Sequence, residues 1–247
     1  RDGGNASGMN AAPRIGLIAC SVFESELAAH AHPPSATLRW HEIALHDRPD
    51  VLRQRLQESI DELDQVEALD AIALLYGLCG RGAAGLRAGR LPLVIPRAHD
   101  CITVFLGSRD RFARENDGTT YFYTPGWNRA RRVPGPDREA WLREDLAKRF
   151  EPDDVEFLLE SERVTWSHYS RAAFIDLGTP DADAEAAYAQ RCADTLGWRY
   201  DRCAGDPALL RDLLAGHWDD KRFQVVPPRG ELRHAPTDRI FDVKDEP

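Results

Sequence analysis

The sequence has little of what marks membrane, secreted or nucleic-acid-binding proteins. No apolar run approaches the ~20 residues that a membrane-spanning helix needs. The formal net charge of −9 argues against a nucleic-acid partner, which would require a basic surface. Met9 is the only methionine. We interpret it as the native start, with residues 1–8 left over from cloning and residues 1–13 forming a disordered start. No signal peptide then precedes the first strand, which predicts a cytoplasmic protein.

Familiar catalytic motifs are also missing. The chain has no Cys-x-x-Cys knuckle, no Walker-type phosphate loop and no Gly-x-Ser-x-Gly nucleophile elbow. The glycine-rich stretch around Gly80, Gly82 and Gly85 is not interpreted as a dinucleotide fingerprint, whose glycines must fall at fixed offsets after the strand. We expect it to let the backbone approach a metal or substrate closely. Five cysteines in a reducing compartment are better explained as ligands, nucleophiles or small buried residues than as disulfides.

Three apolar segments end in a cysteine or shortly before one. They are residues 14–20, which end at Cys20, residues 70–79, which end at Cys79, and residues 91–95, which precede His99 and Cys101. Such short apolar runs predict buried parallel strands. Ligands bind outside the carboxyl ends of parallel strands, so we expect these four side chains to converge. Three thiolates and an imidazole suit tetrahedral zinc, and soft sulfur ligands also suit an iron–sulfur cluster or copper(I). The alternatives are a catalytic cysteine without metal, or packing alone.

Strands and helices alternate along the whole chain. This pattern predicts an α/β fold with a mostly parallel sheet and helices on both faces, arranged as two Rossmann-like lobes. We expect an N-terminal lobe over residues 14–127 that carries the Cys/His site. A C-terminal lobe over residues 139–227 and a polar tail over residues 228–247 would follow.

Other side chains are candidates for catalysis or substrate binding. Cys20 precedes a predicted helix whose dipole favours the thiolate, and Glu24 lies one helical turn later as a general base. The candidates for substrate binding are Arg81, Arg97, His46, Tyr76 and Tyr123. The two arginines would hold an anionic group, and the tyrosines, with Trp127, would form an aromatic wall. The alternative for each is an ordinary surface or core position.

Five short blocks resemble a known family in their order along the chain. They are Ile18–Cys20, Leu45–Pro49, Leu75–Gly80, His99–Cys101 and Thr119–Thr124. The sequence resembles the domain-of-unknown-function 1638 family from about residue 14 to 218. Members commonly have His and Cys adjacent, whereas Asp100 separates them here. The resemblance implies an association with corrinoid-dependent methyl-transfer systems, and hence a corrinoid protein as partner or a corrinoid reached through that partner.

The first functional hypothesis is a zinc-dependent enzyme that acts on a small-molecule substrate, with alkyl or methyl transfer involving a thiol as its reaction. The alternatives are a metal- or cofactor-binding accessory protein without chemistry of its own, and an iron–sulfur enzyme with one open iron. We expect no membrane or nucleic-acid partner, and the sequence leaves the oligomeric state open.

Overall fold

The computed structural model describes residues 12–130 and 133–244. The predicted native start at Met9 lies outside these residues. The strands of the described chain are β1 Ile15–Cys20, β2 Leu38–His41, β3 Ala71–Leu75, β4 Leu93–Pro96, β5 Thr120–Tyr123, β6 Arg171–Asp176, β7 Arg199–Ala204, β8 Phe223–Val226, β9 Glu231–His234 and β10 Phe241–Lys244. The α-helices are α1 Glu24–His30, α2 Pro49–Asp64, α3 Cys101–Leu106, α4 Arg109–Glu115, α5 Pro125–Arg129, α6 Pro136–Leu146, α7 Pro152–Trp166, α8 Ala182–Leu196 and α9 Ala208–Ala215.

The main sheet has the order β2-β1-β3-β4-β8. Its first four strands are parallel, and β8 pairs antiparallel with β4. β3 and β4 are buried along their whole length, as the continuous apolar runs predicted. Helix α2 contacts β1 and β3, and α9 contacts β3 and β4. The prediction of an α/β fold with a mostly parallel sheet is therefore confirmed.

A second sheet has the order β5-β6-β7 and is parallel throughout. Helix α8 packs against β6 and β7. β9 and β10 form a hairpin that is a separate two-stranded sheet. The sheets divide the chain differently from the predicted lobes. β5, which was expected in the N-terminal lobe, pairs with β6, whereas β8, which was expected in the C-terminal lobe, completes the main sheet.

Two local predictions differ from the structure. The apolar pattern of residues 102–112 predicts one helix, but the structure divides it, because Gly107 ends α3 in a left-handed conformation with φ of 80°. Ser108 then caps α4 by accepting a hydrogen bond from the Arg111 N–H. The sequence also predicts a short helix around residues 83–88, but these residues form a turn followed by irregular chain that bridges to Glu231 at Arg87. With no helix following Gly85, the loop lacks the strand–loop–helix context that a dinucleotide-binding site requires.

The two sheets are joined closely by α5. A methyl group at Gly126 would lie 2.0 Å from the Val22 carbonyl oxygen, so α5 packs directly on the turn that follows β1. This contact brings the start of α5 to the edge where β1, β3 and β4 end. Within residues 12–130 and 133–244, no helix combines the length and apolarity needed to cross a membrane.

Candidate functional site

Three thiols meet at the carboxyl edge of the main sheet. Cys20 ends β1, Cys79 follows β3, and Cys101 begins α3 just after β4. Because these strands are adjacent and parallel, their ends lie side by side. The three sulfurs are close enough that Cys20 and Cys79 both raise the pKa of Cys101. The structure thus brings together the three cysteines that the sequence singled out.

The loops that carry Cys79 and Cys101 are packed backbone to backbone. Leu78 donates its N–H to the Ala98 carbonyl at 2.9 Å, and Cys79 donates to the His99 carbonyl at 3.0 Å. A Cβ at Gly77 would lie 2.7 Å from the Asp100 nitrogen, so only glycine permits this approach. Cys79 itself has a φ of 47°, a conformation that non-glycine residues rarely adopt. Such strain persists where the surrounding structure enforces it, as at functional sites.

Tyr76 lies beneath the thiols. It is 1% exposed, and its hydroxyl lies close enough to the Cys20 thiol to influence the pKa of that thiol. Its ring stacks on the imidazole of His46 at 6.2 Å between centroids. Burial, together with the nearby thiols, raises the pKa of Tyr76 well above its usual value, so the hydroxyl stays protonated.

A cavity of about 500 Å³ opens above this cluster. Two of the three cysteines, Cys79 and Cys101, are among its lining residues, whereas Cys20 is not. The remaining lining residues are His46, Gly80, Asp100, Ile102, Phe112, Asn116, Gly118, Thr120, Tyr121, Phe122, Trp127 and Tyr169. The cavity therefore combines residues from the loops after β3 and β4 with residues from β5 and its surroundings. Its volume is that of a typical small-molecule site.

His46 presents an unused nitrogen at this cavity. It lies in the short 3-10 turn Ile43–Asp47. Its Nδ1 lies 2.9 Å from the Ile43 carbonyl oxygen, which accepts only from a protonated nitrogen, so the neutral ring carries its proton on Nδ1. Nε2 is buried and has no hydrogen-bond partner. Burial lowers the pKa of His46, which keeps the Nε2 lone pair available as a base or metal ligand.

The protein alone keeps these thiols protonated. Burial raises the pKa of Cys20 and of Cys79 to about 12 in each case. It also raises that of Cys101 well above its usual value, although the nearby Trp127 side chain opposes the shift. The cause is desolvation, which disfavours the charged form. A reactive thiolate here requires a further positive charge or a base.

The predicted imidazole ligand lies elsewhere. His99 is exposed and lines a neighbouring cavity with Arg109, Asp110 and Asp238. Cys101, in contrast, is buried and lines the cavity beside the thiols. His46, which the sequence suggested only for substrate binding, occupies the place beside the thiols.

The predicted anion clamp is not at the cavity either. Arg81 is exposed and outside the lining. Arg97 is 2% exposed and donates to carbonyl oxygens of Asp220 and Phe241 at 2.8 and 2.7 Å. It therefore ties strands together and has no N–H left for a ligand. The burial of an arginine directly after β4 could not be read from the sequence alone.

The remaining predicted residues surround the cluster at a distance from the cavity. Glu24 is exposed at the start of α1, where its charge still raises the pKa of Cys20. Tyr123 is fully buried and donates its hydroxyl to the Pro134 carbonyl at 2.7 Å, so it belongs to the core of the second sheet. Sequence reasoning missed Tyr121 and Tyr169 as wall residues, because no local pattern showed that β5 would face the strands with the thiols.

The donor set suits a soft metal ion, but it is not prearranged as a cage. Among residues 12–130 and 133–244, no three His, Cys, Asp or Glu side chains already stand as ligands of one ion. Three clustered thiols and the unpartnered Nε2 of His46 are nevertheless the ligand types that zinc prefers. In chemical terms the residues fit zinc, and side-chain rotation would have to bring them onto one ion.

Fold and site together define an α/β protein with a thiol-bearing, aromatic-walled cavity at the carboxyl edge of a mostly parallel sheet. A family model described as "Protein of unknown function (DUF1638)" matches residues 40–214, and the chain belongs to this family. The match confirms the family suggested by the five sequence blocks, and it includes Cys79 and Cys101 while Cys20 precedes it. Comparisons with curated proteins and with solved structures found no match.

Proposed function

We propose that this protein is a metal-dependent enzyme of small-molecule chemistry, with zinc as the metal and alkyl or methyl transfer involving a thiol as the reaction. The observation that supports it best is the cavity of about 500 Å³ whose wall carries two members of a three-thiol cluster. A substrate held there would lie directly against sulfur. Deep pockets with a few convergent polar groups are the usual form of such sites.

The residues have distinct roles in this proposal. Cys79 and Cys101, together with Cys20, would hold the ion, and one of the two wall cysteines would present its sulfur to substrate. When bound, zinc lowers the pKa of a thiol that it coordinates. His46 takes the imidazole role first assigned to His99, either as a ligand or as the base that accepts the thiol proton at Nε2.

The finer features expected from the sequence belong to the same proposal. The mostly parallel main sheet and the parallel second sheet would be two Rossmann-like lobes, each with helices on both faces, whose strand ends meet at the cavity. A cytoplasmic location would keep the thiols reduced. A corrinoid protein is proposed as the partner that exchanges the alkyl group, on the strength of the family association alone.

The first experiment measures zinc by elemental analysis in protein purified without added metal. We expect about one zinc per chain, as structural and catalytic zinc sites bind single ions, and its loss in Cys79→Ser and Cys101→Ser. Cys203→Ser is the matched control. Its sulfur lies 3.5 Å from the Phe174 carbonyl oxygen, away from the cavity, so this variant should keep its metal.

Two outcomes would contradict the zinc site. Equal metal content in all four proteins would show that the cluster does not hold the ion. A brown protein that absorbs at about 400 nm, with iron in place of zinc, would instead establish the iron–sulfur alternative. If wild-type protein binds no metal even with zinc added, the proposed metal dependence is wrong.

A further inference from the structure

The cavity wall is aromatic and carries negative charge. Its described lining includes five aromatic rings, those of Phe112, Tyr121, Phe122, Trp127 and Tyr169, and one carboxylate, that of Asp100. Neither lysine nor arginine occurs among the described residues that line it. An anionic ligand would therefore meet no positively charged side chain, whereas a cation would meet aromatic rings as well as a carboxylate.

The rings are held in place by one another. Tyr121 and Tyr169 meet edge to face with 5.4 Å between centroids, and Phe112 lies 6.2 Å from Phe122. The Trp127 ring contacts His46 at 6.0 Å. Such contacts fix ring orientation before a ligand arrives. The aromatic surface is thus preformed, which lowers the entropic penalty of binding.

Asp100 is fixed with equal firmness. It is the N-cap of α3, and its carboxylate accepts hydrogen bonds from the Thr103 N–H at 3.2 Å and the Thr103 hydroxyl at 3.4 Å. Burial raises the pKa of Asp100, and these bonds from Thr103 oppose that shift by stabilising the charged carboxylate. The cap would survive replacement by asparagine, which is as good an N-cap as aspartate. Charge can therefore be removed here without removing the helix cap.

From this wall we infer that the cavity takes a compact organic cation, an alkylated ammonium or sulfonium group, as its substrate. Aromatic faces attract such cations through the ring quadrupole, and the attraction is strongest when the cation is desolvated. The cavity volume of about 500 Å³ limits the size of the ligand, and it admits a small onium compound. Binding of the cation is inferred from the cavity alone, whereas the reaction that follows binding rests on the proposed function.

Alkyl transfer from such a substrate to a cysteine balances in bonds, protons and electrons. The thiol of Cys79 or Cys101 first gives its proton to a base, and the candidate base is His46, which lines the same cavity and has an unpartnered Nε2. The thiolate sulfur then donates an electron pair to an alkyl carbon of the onium group. The bond from that carbon to nitrogen or sulfur breaks, and its electrons stay with the heteroatom. A neutral amine or sulfide leaves, and the alkyl group remains as a thioether, so no oxidant or reductant is needed.

The test compares choline with 3,3-dimethylbutan-1-ol, in which a carbon atom replaces the cationic nitrogen. Binding to the full chain is measured by calorimetry or by saturation-transfer NMR of the methyl protons. We expect the alcohol to bind at least about tenfold more weakly than choline, since it lacks the cation–π attraction. Tyr169→Leu and Asp100→Asn should each weaken choline binding severalfold while changing alcohol binding little. Phe157→Leu, at a 71% exposed ring outside the lining, is the control.

Measuring zinc content in the wild-type protein and in the same variants distinguishes a failure of this inference from a failure of the proposed function. Equal binding of choline and the alcohol, or no binding of either, overturns the cation inference whether or not zinc is present. Preference for choline in a protein that binds no zinc sustains the cation inference and overturns the metal proposal. Unchanged choline affinity in both Tyr169→Leu and Asp100→Asn shows that the cation binds elsewhere, and this outcome also overturns it.

Discussion

Glu26 is fully buried on α1, and neither of its carboxyl oxygens has a hydrogen-bond partner. Burial raises its pKa to about 8, and nearby Asp181 adds to the shift while Arg129 opposes it. The sequence directed attention to Glu24, two positions earlier, as the useful carboxyl. The helical pattern could not decide between them, because α1 is short and its buried side was unknown until α5 was seen packed against it.

The protonation of Glu26 makes stability depend on pH. Its pKa is about 8 in the folded protein against 4.5 for an ordinary glutamate, so folding favours the neutral form. The contribution of Glu26 protonation to the free energy of unfolding is fully present below about pH 4.5 and is lost as the pH rises towards 8. The free energy of unfolding should therefore fall by a few kcal/mol over this range. Urea unfolding at about pH 5 and about pH 8 measures it.

Two variants make the pH test specific. Glu26→Gln keeps the shape without an ionisable group and should flatten the decline. Glu24→Gln, at the exposed glutamate on the same helix, should leave the decline as in wild type. A decline of the same size in Glu26→Gln would assign the pH dependence to another group.

Among the elements, β4, β8 and the hairpin of β9 and β10 are held together by hydrogen bonds from Arg97. Its guanidinium donates to the Asp220 carboxylate at 2.9 Å and the Gln224 amide oxygen at 2.8 Å. It also reaches carbonyl oxygens at 220, 223, 239 and 241. One side chain thereby joins the end of β4 to β8 and to the hairpin of β9 and β10. All five N–H groups are used, which a lysine could not reproduce.

Arg97→Lys should lower the free energy of unfolding by about 3 kcal/mol, because several buried acceptors lose their donors. The control is Arg239→Lys, which alters an exposed ion pair to the same Asp220 and should change stability by less than about 1 kcal/mol. Urea denaturation of both variants measures the difference. Similar small losses in both would mean that Arg97 is not the link between these elements.

How well each element could be predicted depended on how much its sequence reveals locally. Apolar periodicity predicts a strand over residues 171–176 and a helix over residues 182–196 that Gly197 ends, and β6 and α8 have these bounds, Arg171–Asp176 and Ala182–Leu196. β9 and β10 were missed, because each has four residues and only one or two apolar positions. The convergence of the thiols followed from strand order. The position of His46 and the contribution of β5 depend on contacts between distant segments, which no local pattern encodes.

At the scale of the whole molecule, the two sheets share the chain in an interleaved order. The main sheet takes β1 to β4 and then β8, while the second sheet takes β5 to β7 from between them. The second sheet thus lies within one stretch of the chain, residues 120–204, whereas the main sheet is built from two separate segments. The segment matched by the family model ends at residue 214, before β8, so it does not contain a complete main sheet.

A chain that ends at residue 218 should therefore fail to fold. It lacks the buried Phe223, Val226 and Phe241, leaves β4 as an open apolar edge, and strips Arg97 of its acceptors. We expect aggregated protein by size-exclusion chromatography, with a chain ending at residue 244 as the soluble control. A soluble, cooperatively unfolding protein ending at 218 would show that β8 and the hairpin are dispensable.

The late arrival of β8 also bears on synthesis. More than a hundred residues separate β4 from its partner β8, which corresponds to on the order of ten seconds on the ribosome. During that interval the nascent chain exposes the unpaired apolar edge of β4, beside loops that carry Cys79 and Cys101. The ribosome-bound chain should therefore be a substrate for chaperones until β8 emerges and pairs with β4, and its cysteines should be most vulnerable to oxidation before the fold closes over them.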